Sequence, residues 1–324
     1  MRVLVTGGTG FIGRVVVQRL LNSGASVCAF VREDTAHDAK KMRHLQGRRG
    51  VRIVCGRLDD PKAIASAASG AEVVYHLAFL YRRAWEPNQD FFRPNVRATM
   101  NVLRASVHAG VRRFVLSGSI SVYGWPHPTW SMIEEQPALE GTSNYAKTKI
   151  ESERLVRSFT ESDGLEHAIL RIPHVYGAGA ATFEYFVSRL LAPSFIVRPT
   201  PEVVDPTLFW GRIWQLIHVN DVAEAIVLAG TRAGGRNDTF NVAGRRAITR
   251  AELTRIVLAR ARRLPRHGDR LSAGPPLQLY DTSKAERELG FVPKIDVADG
   301  LVETVDRLLM PPNASGQVDL MRLA

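Results

Sequence analysis

The segment SNYAKTKIESERLV, Ser143 to Val156, sets a tyrosine and a lysine four residues apart, at Tyr145 and Lys149. On a helix that spacing brings both side chains to one face. A phenol beside an ammonium can give and take a proton; the same pair can equally be an ordinary solvated helix face. A second segment bears on the choice. RVLVTGGTGFIGR, Arg2 to Arg14, carries glycines at positions 7, 8, 10 and 13 between a strand-like run and a helical one. Glycine lets the backbone turn tightly and approach a pyrophosphate closely. The following helix N-terminus adds unpaired amides and a positive dipole. The glycines fit both G-x-G-x-x-G (Gly8, Gly10, Gly13) and G-x-x-G-x-x-G (Gly7, Gly10, Gly13), in the strand-then-helix context that a dinucleotide site requires.

The elements that must position these residues are legible. RVLVT, SVCAFV, VRIVCG, EVVYHLA, RFVLSG and HAILRI read as six apolar strands. They are separated by helical segments such as FIGRVVVQRLLNSG, PKAIASAASG and NVRATMNVLRASVHAG. Gly24 is placed to end the first helix. Apolar runs without alternation, divided by helices, predict a parallel sheet covered on both faces. The expected fold is α/β, a doubly wound parallel sheet of the Rossmann type with a smaller, interleaved C-terminal substrate region. Residues 1–172 form the dinucleotide-binding part, rejoined by about 214–243. Residues 173–213 and 244–310 form the substrate part, and 311–324 a loosely docked tail. HVNDVAEAIVLAG reads as a helix capped by Asn220 or Asp221.

Composition narrows the class. The chain has 324 residues, 45% hydrophobic and 23% charged, as soluble globular proteins do. No run of 18 apolar residues predicts a membrane span, and the start MRVLVTGG has no secretory pattern. The two cysteines, Cys28 and Cys55, sit in apolar strand runs and read as buried free thiols in a reducing compartment. A cytoplasmic location is expected, and no metal. The net charge of +11 suits anionic ligands. Its arginines are dispersed without an RNA-binding motif, so a small anionic substrate is preferred to nucleic acid. Cofactor choice falls at the end of the second strand, where an acidic residue would bond the ribose of NAD. The sequence AFVRED places Arg32 there, and an arginine can hold a 2′-phosphate. NADP is therefore favoured and NAD possible, with Glu33 and Asp34 adjacent.

TGGTGFIG, HLA (His76 to Ala78), Asn95-Val96, SGSISVYG, YAKTK, LRIPHVYG, IHVNDVA, FNVAG and LGFVP together resemble the extended short-chain dehydrogenase/reductases, the NAD-dependent epimerase/dehydratase family. The resemblance spans Arg2 to about Leu309. It implies that Tyr145 is the catalytic acid/base, that Lys149 lowers its pKa and bonds the nicotinamide ribose, and that Ser119 polarises the substrate oxygen. It implies cofactor contacts from Gly7, Gly10, Phe11, Ile12 and Gly13, from Arg32 and Leu58, and from Leu77, Ala78 and Asn95. Ser117 and Pro173 are implied on the nicotinamide side. Family members often dimerise through the helices holding Asn95 and Tyr145, so a homodimer is expected.

Departures from the family pattern shape the chemistry. Dehydratases resembling this family carry acidic residues just after the catalytic hydroxyl, and decarboxylases a glutamate; here Ile120 and Ser121 stand there. Ketone reduction, alcohol oxidation or epimerisation through a transient ketone remain. Arg57 replaces a common aspartate after the third strand. His174 and Arg266 are candidate substrate contacts, His174 where sugar-nucleotide enzymes have asparagine and Arg266 in RHGDR. The leading expectation is an NAD(P)-dependent oxidoreductase or epimerase acting on a sugar-like, nucleotide-linked substrate. The alternative is a carbonyl reductase of hydroxysteroid- or flavonoid-reductase character. A non-catalytic dinucleotide sensor or nucleic-acid-binding relative fits least, since Ser119, Tyr145 and Lys149 are all present.

Overall fold

In a computed structural model of the chain, residues 1–81, 90–124, 131–136, 143–191, 213–262 and 279–309 are described. Five short apolar segments build most of one sheet: β1 (Arg2–Thr6), β2 (Ser26–Val31), β3 (Val51–Cys55), β4 (Val73–His76) and β5 (Arg113–Ser117). After the two-residue β6 (Ser131–Met132), β7 (Glu166–Arg171) joins the same sheet. The two-residue strands β8 (Val175–Tyr176), β9 (Ile213–Trp214) and β10 (Ile217–His218) precede β11 (Asp238–Asn241), which completes it. Strands β12 (Ile248–Thr249) and β13 (Leu279–Tyr280) follow. The sheet order is β11-β7-β5-β4-β1-β2-β3, all parallel. β11 extends the six strands read from the sequence; DTFN is too short and polar to announce itself as one.

From β1 the chain adds β2 and β3 on one side, and then β4, β5 and β7 on the other, which makes the crevice at the C-terminal ends of β1 and β4 the topological switch point. Helices α1 (Phe11–Asn22), α2 (Glu33–Ala36), α3 (Ala39–Met42), α4 (Pro61–Ala68), α5 (Ala98–His108) and α6 (Asn144–Asp163) fall between these strands. Then come α7 (Ala181–Leu191), α8 (Val219–Thr231), α9 (Arg250–Arg260) and α10 (Val297–Leu309). Val16, Val17 and Leu20 of α1 pack with Val222 and Ile226 of α8 on one face of the sheet. Ile64, Val102, Leu103 and Val156 from α4, α5 and α6 cover the other. A third core joins Phe183 and Val187 of α7, Leu253 and Val257 of α9, and Leu301 and Val305 of α10. It belongs to the interleaved C-terminal region.

Local details depart from the sequence reading in three places. α8 is capped by His218, whose ring accepts from the Asn220 amide at 3.3 Å. Asp221 instead takes the amides of Lys294 and Ile295, both at 3.1 Å, and so ties α8 to the approach of α10. The helix around Asn95 opens with a π-wound turn, Phe92–Arg97, containing Pro94, which has no N–H to give the ladder. Cys28 is buried as expected, but Cys55 is exposed, because it ends the edge strand β3; both are free. No described helix is long and apolar enough to cross a membrane. The tail expected beyond Pro311 lies outside the described residues.

Candidate active site

The glycine loop is built on backbone proximity. Gly7 has φ +74°, and a Cβ there would sit 2.8 Å from the Ala78 nitrogen. At Gly13 a Cβ would lie 2.0 Å from the Gly7 carbonyl oxygen. The turn closes through Gly10 N–H donating to Gly7 O at 3.0 Å, and Gly10 caps α1 without a side chain. The first amides of α1 thus face the switch-point crevice uncapped, the arrangement that holds a pyrophosphate. Phe11 packs toward the C-terminal core and Ile12 toward the sheet. His44 Nε2 donates to Gly8 O at 2.9 Å and pins the loop from the α3 side. Its pKa is lowered, chiefly by burial. These residues fit a dinucleotide.

A buried polar chain joins this loop to the helices. Thr99 Oγ1 donates to Asn95 O at 2.7 Å, so His76 Nε2 must donate to Thr99 Oγ1 at 3.1 Å. His76 Nδ1 then accepts from Thr6 Oγ1 at 2.8 Å, and Thr6 Oγ1 accepts from Ala78 N at 3.3 Å. Burial pushes His76 down to about 3, helped by the charge of Lys149, so the ring is neutral. Asn95 is wholly buried and fully used. Its Oδ1 accepts from Leu80 N at 2.7 Å, and its Nδ2 donates to Leu80 O and to Thr148 Oγ1, both at 3.1 Å. Asn95 therefore clamps the segment after β4 to α6. Leu77 N donates to Thr6 O at 3.2 Å, while Leu58 O accepts from Asn101 at 3.0 Å.

Helix α6 starts at Ser143, whose hydroxyl accepts from Ala146 N at 3.2 Å, and ends at Gly164 with φ 70°. Lys149, Ser152 and Val156 are buried along one stripe with half-buried Tyr145 and Phe159; Lys147, Arg154 and Ser158 are exposed. The Tyr145 hydroxyl hydrogen-bonds Ser119. Burial raises the Tyr145 pKa above its usual value, and the Ser119 bond opposes this only in part, so the protein groups keep the phenol protonated at neutral pH. Burial drives Lys149 well below the usual lysine range, opposed by Glu153. Its ammonium donates to Ser117 O at 2.6 Å and lies 5.6 Å from the Tyr145 ring centroid. The Ser117 hydroxyl itself donates to His76 O at 3.1 Å. Ser119 starts the turn Ile120–Tyr123, and Ile120 N donates to Ile172 O at 3.3 Å, setting that turn beside buried Pro173. His174 is pushed to about 4 by burial. Arg266 lies outside the described residues.

Three features escaped the sequence reading. Phe79 lays its ring over Lys149, with Nζ 3.1 Å from the centroid, and Tyr81 sets its ring on Tyr145 with centroids 4.8 Å apart. Both come from a loop with no periodicity to betray them. Glu153 continues the Tyr145–Lys149 spacing by one more turn, a signal that was readable. It receives Arg171 at 3.1 and 2.9 Å and Arg157 at 2.9 Å.

A family model described as the NAD dependent epimerase/dehydratase family matches residues 3–243. The chain belongs to that family. It is an enzyme fold of the NAD(P)-binding oxidoreductase kind. The chain is similar to the dTDP-glucose 4,6-dehydratase of Streptomyces niveus, at 28% identity over 94% of this chain and 92% of that protein. It is similar to the UDP-glucose 4-epimerase of Azospirillum brasilense at 27% identity, covering 94% and 90%. Among solved structures it resembles the dTDP-glucose 4,6-dehydratase of Streptomyces venezuelae, at 27% identity and TM-score 0.76, covering 94% and 96%.

That last structure holds NAD, and it overturns the NADP preference read from Arg32. The side chains explain why the charge misled. Arg32 is exposed, with Nε 3.4 Å from Asp34 Oδ1. Arg57 is held by Asp59 at 2.9 and 3.2 Å, and the Arg57 bond pulls Asp59 down to about 2. A 2′-phosphate there would meet two carboxylates along with the two guanidinium groups.

Proposed function

We propose that this chain uses NAD to move a hydride at a hydroxyl or ketone carbon of a nucleotide-linked sugar, as a ketoreductase or epimerase. One observation carries the reading. Tyr145 is hydrogen-bonded to Ser119, just past the C-terminal end of β5, and sits one turn before Lys149, while the glycine loop follows the C-terminal end of β1 in the same parallel sheet. The names of the similar proteins supply the substrate class.

NAD would be held by the α1 amides, Gly7, Gly10 and Gly13, and its ring would accept or return the hydride. The remaining work falls to the chain's own groups. Ser119 orients the substrate oxygen. Tyr145 gives that oxygen a proton when the carbon gains hydride and takes it back in the reverse sense, so proton and hydride stay balanced. Lys149 supplies positive charge that favours the phenolate during that exchange. Dehydration needs a further acid/base pair, and Ile120 and Ser121 provide none. The Ser121 hydroxyl is buried, with no hydrogen-bond partner among the described residues.

A carbonyl reductase acting on a non-nucleotide ketone is the second reading. The Tyr81 ring against Tyr145 favours it, since an aromatic wall suits an apolar ring system. A thermal-shift panel of nucleotide-linked sugars and polycyclic ketones, each with NAD, separates the two. With whichever class binds, Tyr145→Phe should keep binding and lose turnover by about 10²–10⁴-fold. Turnover unchanged in that variant would end this mechanism.

A further inference from the structure

Lys149 presents a physical problem. It is 2% exposed, and a buried ammonium loses its proton unless its charge is compensated. We propose that Phe79 is a positioning residue for Lys149, its ring face keeping the ammonium charged and aimed at the Tyr145 side of the crevice. This rests on the reading of Tyr145 and Lys149 given above and goes beyond it.

The groups around Lys149 come from every element packed on it. From β5, the Ser117 carbonyl takes one of three N–H donors at 2.6 Å. From β4, His76 is neutral and offers no negative charge. From α6 itself come Tyr145, protonated, and the Glu153 carboxylate. Glu153 opposes the loss of the proton, but it is also shared with Arg171 of β7 and Arg157, and burial still outweighs it. The segment after β4 supplies the remaining contact. The Phe79 ring centroid is 3.1 Å from Nζ, well within the roughly 6 Å reach of a cation over an aromatic face.

A phenyl face attracts the ammonium and does little for a neutral amine, so its effect falls on the protonation state. Phe79 is itself held firmly. Its ring packs on His76 at 5.3 Å, and Asn95 grips both backbone groups of the next residue, Leu80. Backbone carbonyl and ring thus occupy two sides of the ammonium and leave the third donor for a ligand hydroxyl. The position is read from the fold alone: nothing in the loop sequence HLAFLY marks Phe79 as different from a packing residue.

The chain has seven lysines, few enough to resolve singly by NMR after [ε-¹³C]lysine labelling. The Lys149 signal is assigned by its loss in Lys149→Arg. In the full-length wild-type protein the Lys149 ε-methylene protons should be shifted upfield by the ring above them. In Phe79→Leu the Lys149 titration midpoint should fall by about one pH unit, while Phe79→Tyr keeps it. A midpoint equal in wild type and Phe79→Leu overturns the proposal. If Phe79→Leu does not fold, the wild-type protons decide alone, and the absence of an upfield shift overturns it. A midpoint that moves while Tyr145→Phe retains turnover would sink the mechanism and leave the Phe79 contact standing.

Discussion

Gly13 is where one added carbon does most harm. Its Cβ would meet the Gly7 carbonyl oxygen at 2.0 Å and Gly8 Cα at 2.8 Å, backbone atoms that cannot swing aside. The loop would have to open, and the α1 amides would lose their aim. Gly13→Ala should therefore weaken NAD binding by at least about tenfold in calorimetry. Gly24→Ala is the matched control. It has φ +80° but open space around its Cβ, so it should cost about 1 kcal/mol of stability and leave NAD affinity alone. An equal loss of affinity in both variants would show that the crowding at Gly13 is not what matters. Arg32 makes the opposite case. As an exposed partner of Asp34, it contributes little, and Arg32→Ala should change the ratio of NAD to NADP affinities by no more than about twofold. A ratio that swings further would restore the arginine to cofactor selection.

At the scale of elements, α6 carries the proposed proton-transfer pair on its first two turns and its anchor on the third. Glu153 and Arg171 are both nearly inaccessible, at 2% and 4% side-chain exposure, and bonded twice. Removing one partner leaves a buried charge uncompensated, whereas removing both need not. Glu153→Leu should thus cost about 3–5 kcal/mol in urea unfolding, and Glu153→Leu with Arg171→Met should recover much of it. A double variant as unstable as the single one would refute the pairing argument. The same helix shows what the sequence could and could not tell. Its 3.6-residue period placed Tyr145, Lys149, Ser152 and Val156 together, because helical spacing is a local property. The glycine loop was legible for the same reason: its geometry is written in one contiguous stretch. Phe79, Tyr81 and His44 reach the site from loops or short turns, and their positions depend on how distant segments meet. Arg32 was legible as a charge, but not as a charge already answered by Asp34. β11 was missed because four residues give too short a pattern to read.

For the whole molecule, histidines lowered by burial couple folding to pH, and the hydrogen bonds of His76 and His167 show how. His76 ties β1 and β4 to α5, and burial holds it down to about 3. His167 on β7 donates to Thr160 Oγ1 of α6 at 2.7 Å, because the Thr160 hydroxyl is itself given to Leu165 O; burial, then Arg157, holds His167 to about 4. In the unfolded chain both rings bind a proton near pH 6.5. Between about 6.5 and 4 the unfolded state therefore carries protons that the folded state refuses, and stability must fall as pH falls through that window. Asp59, with its pKa depressed to about 2, loses its contribution only at lower pH, below about 4. Glu134, raised by burial, works in the opposite sense and trims the total. With His174, which burial also holds to about 4, the slope of unfolding free energy against pH near 5 should correspond to uptake of roughly three protons, measured by urea unfolding at closely spaced pH values. In His76→Asn the uptake should drop by about one proton, whatever that change does to absolute stability, because the slope counts protons and not contacts. Wild-type stability that stays flat from pH 6.5 to 5 would mean that neither ring is neutral in the folded sheet, and that the hydrogen-bond directions assigned around Thr6 and Thr99 are wrong.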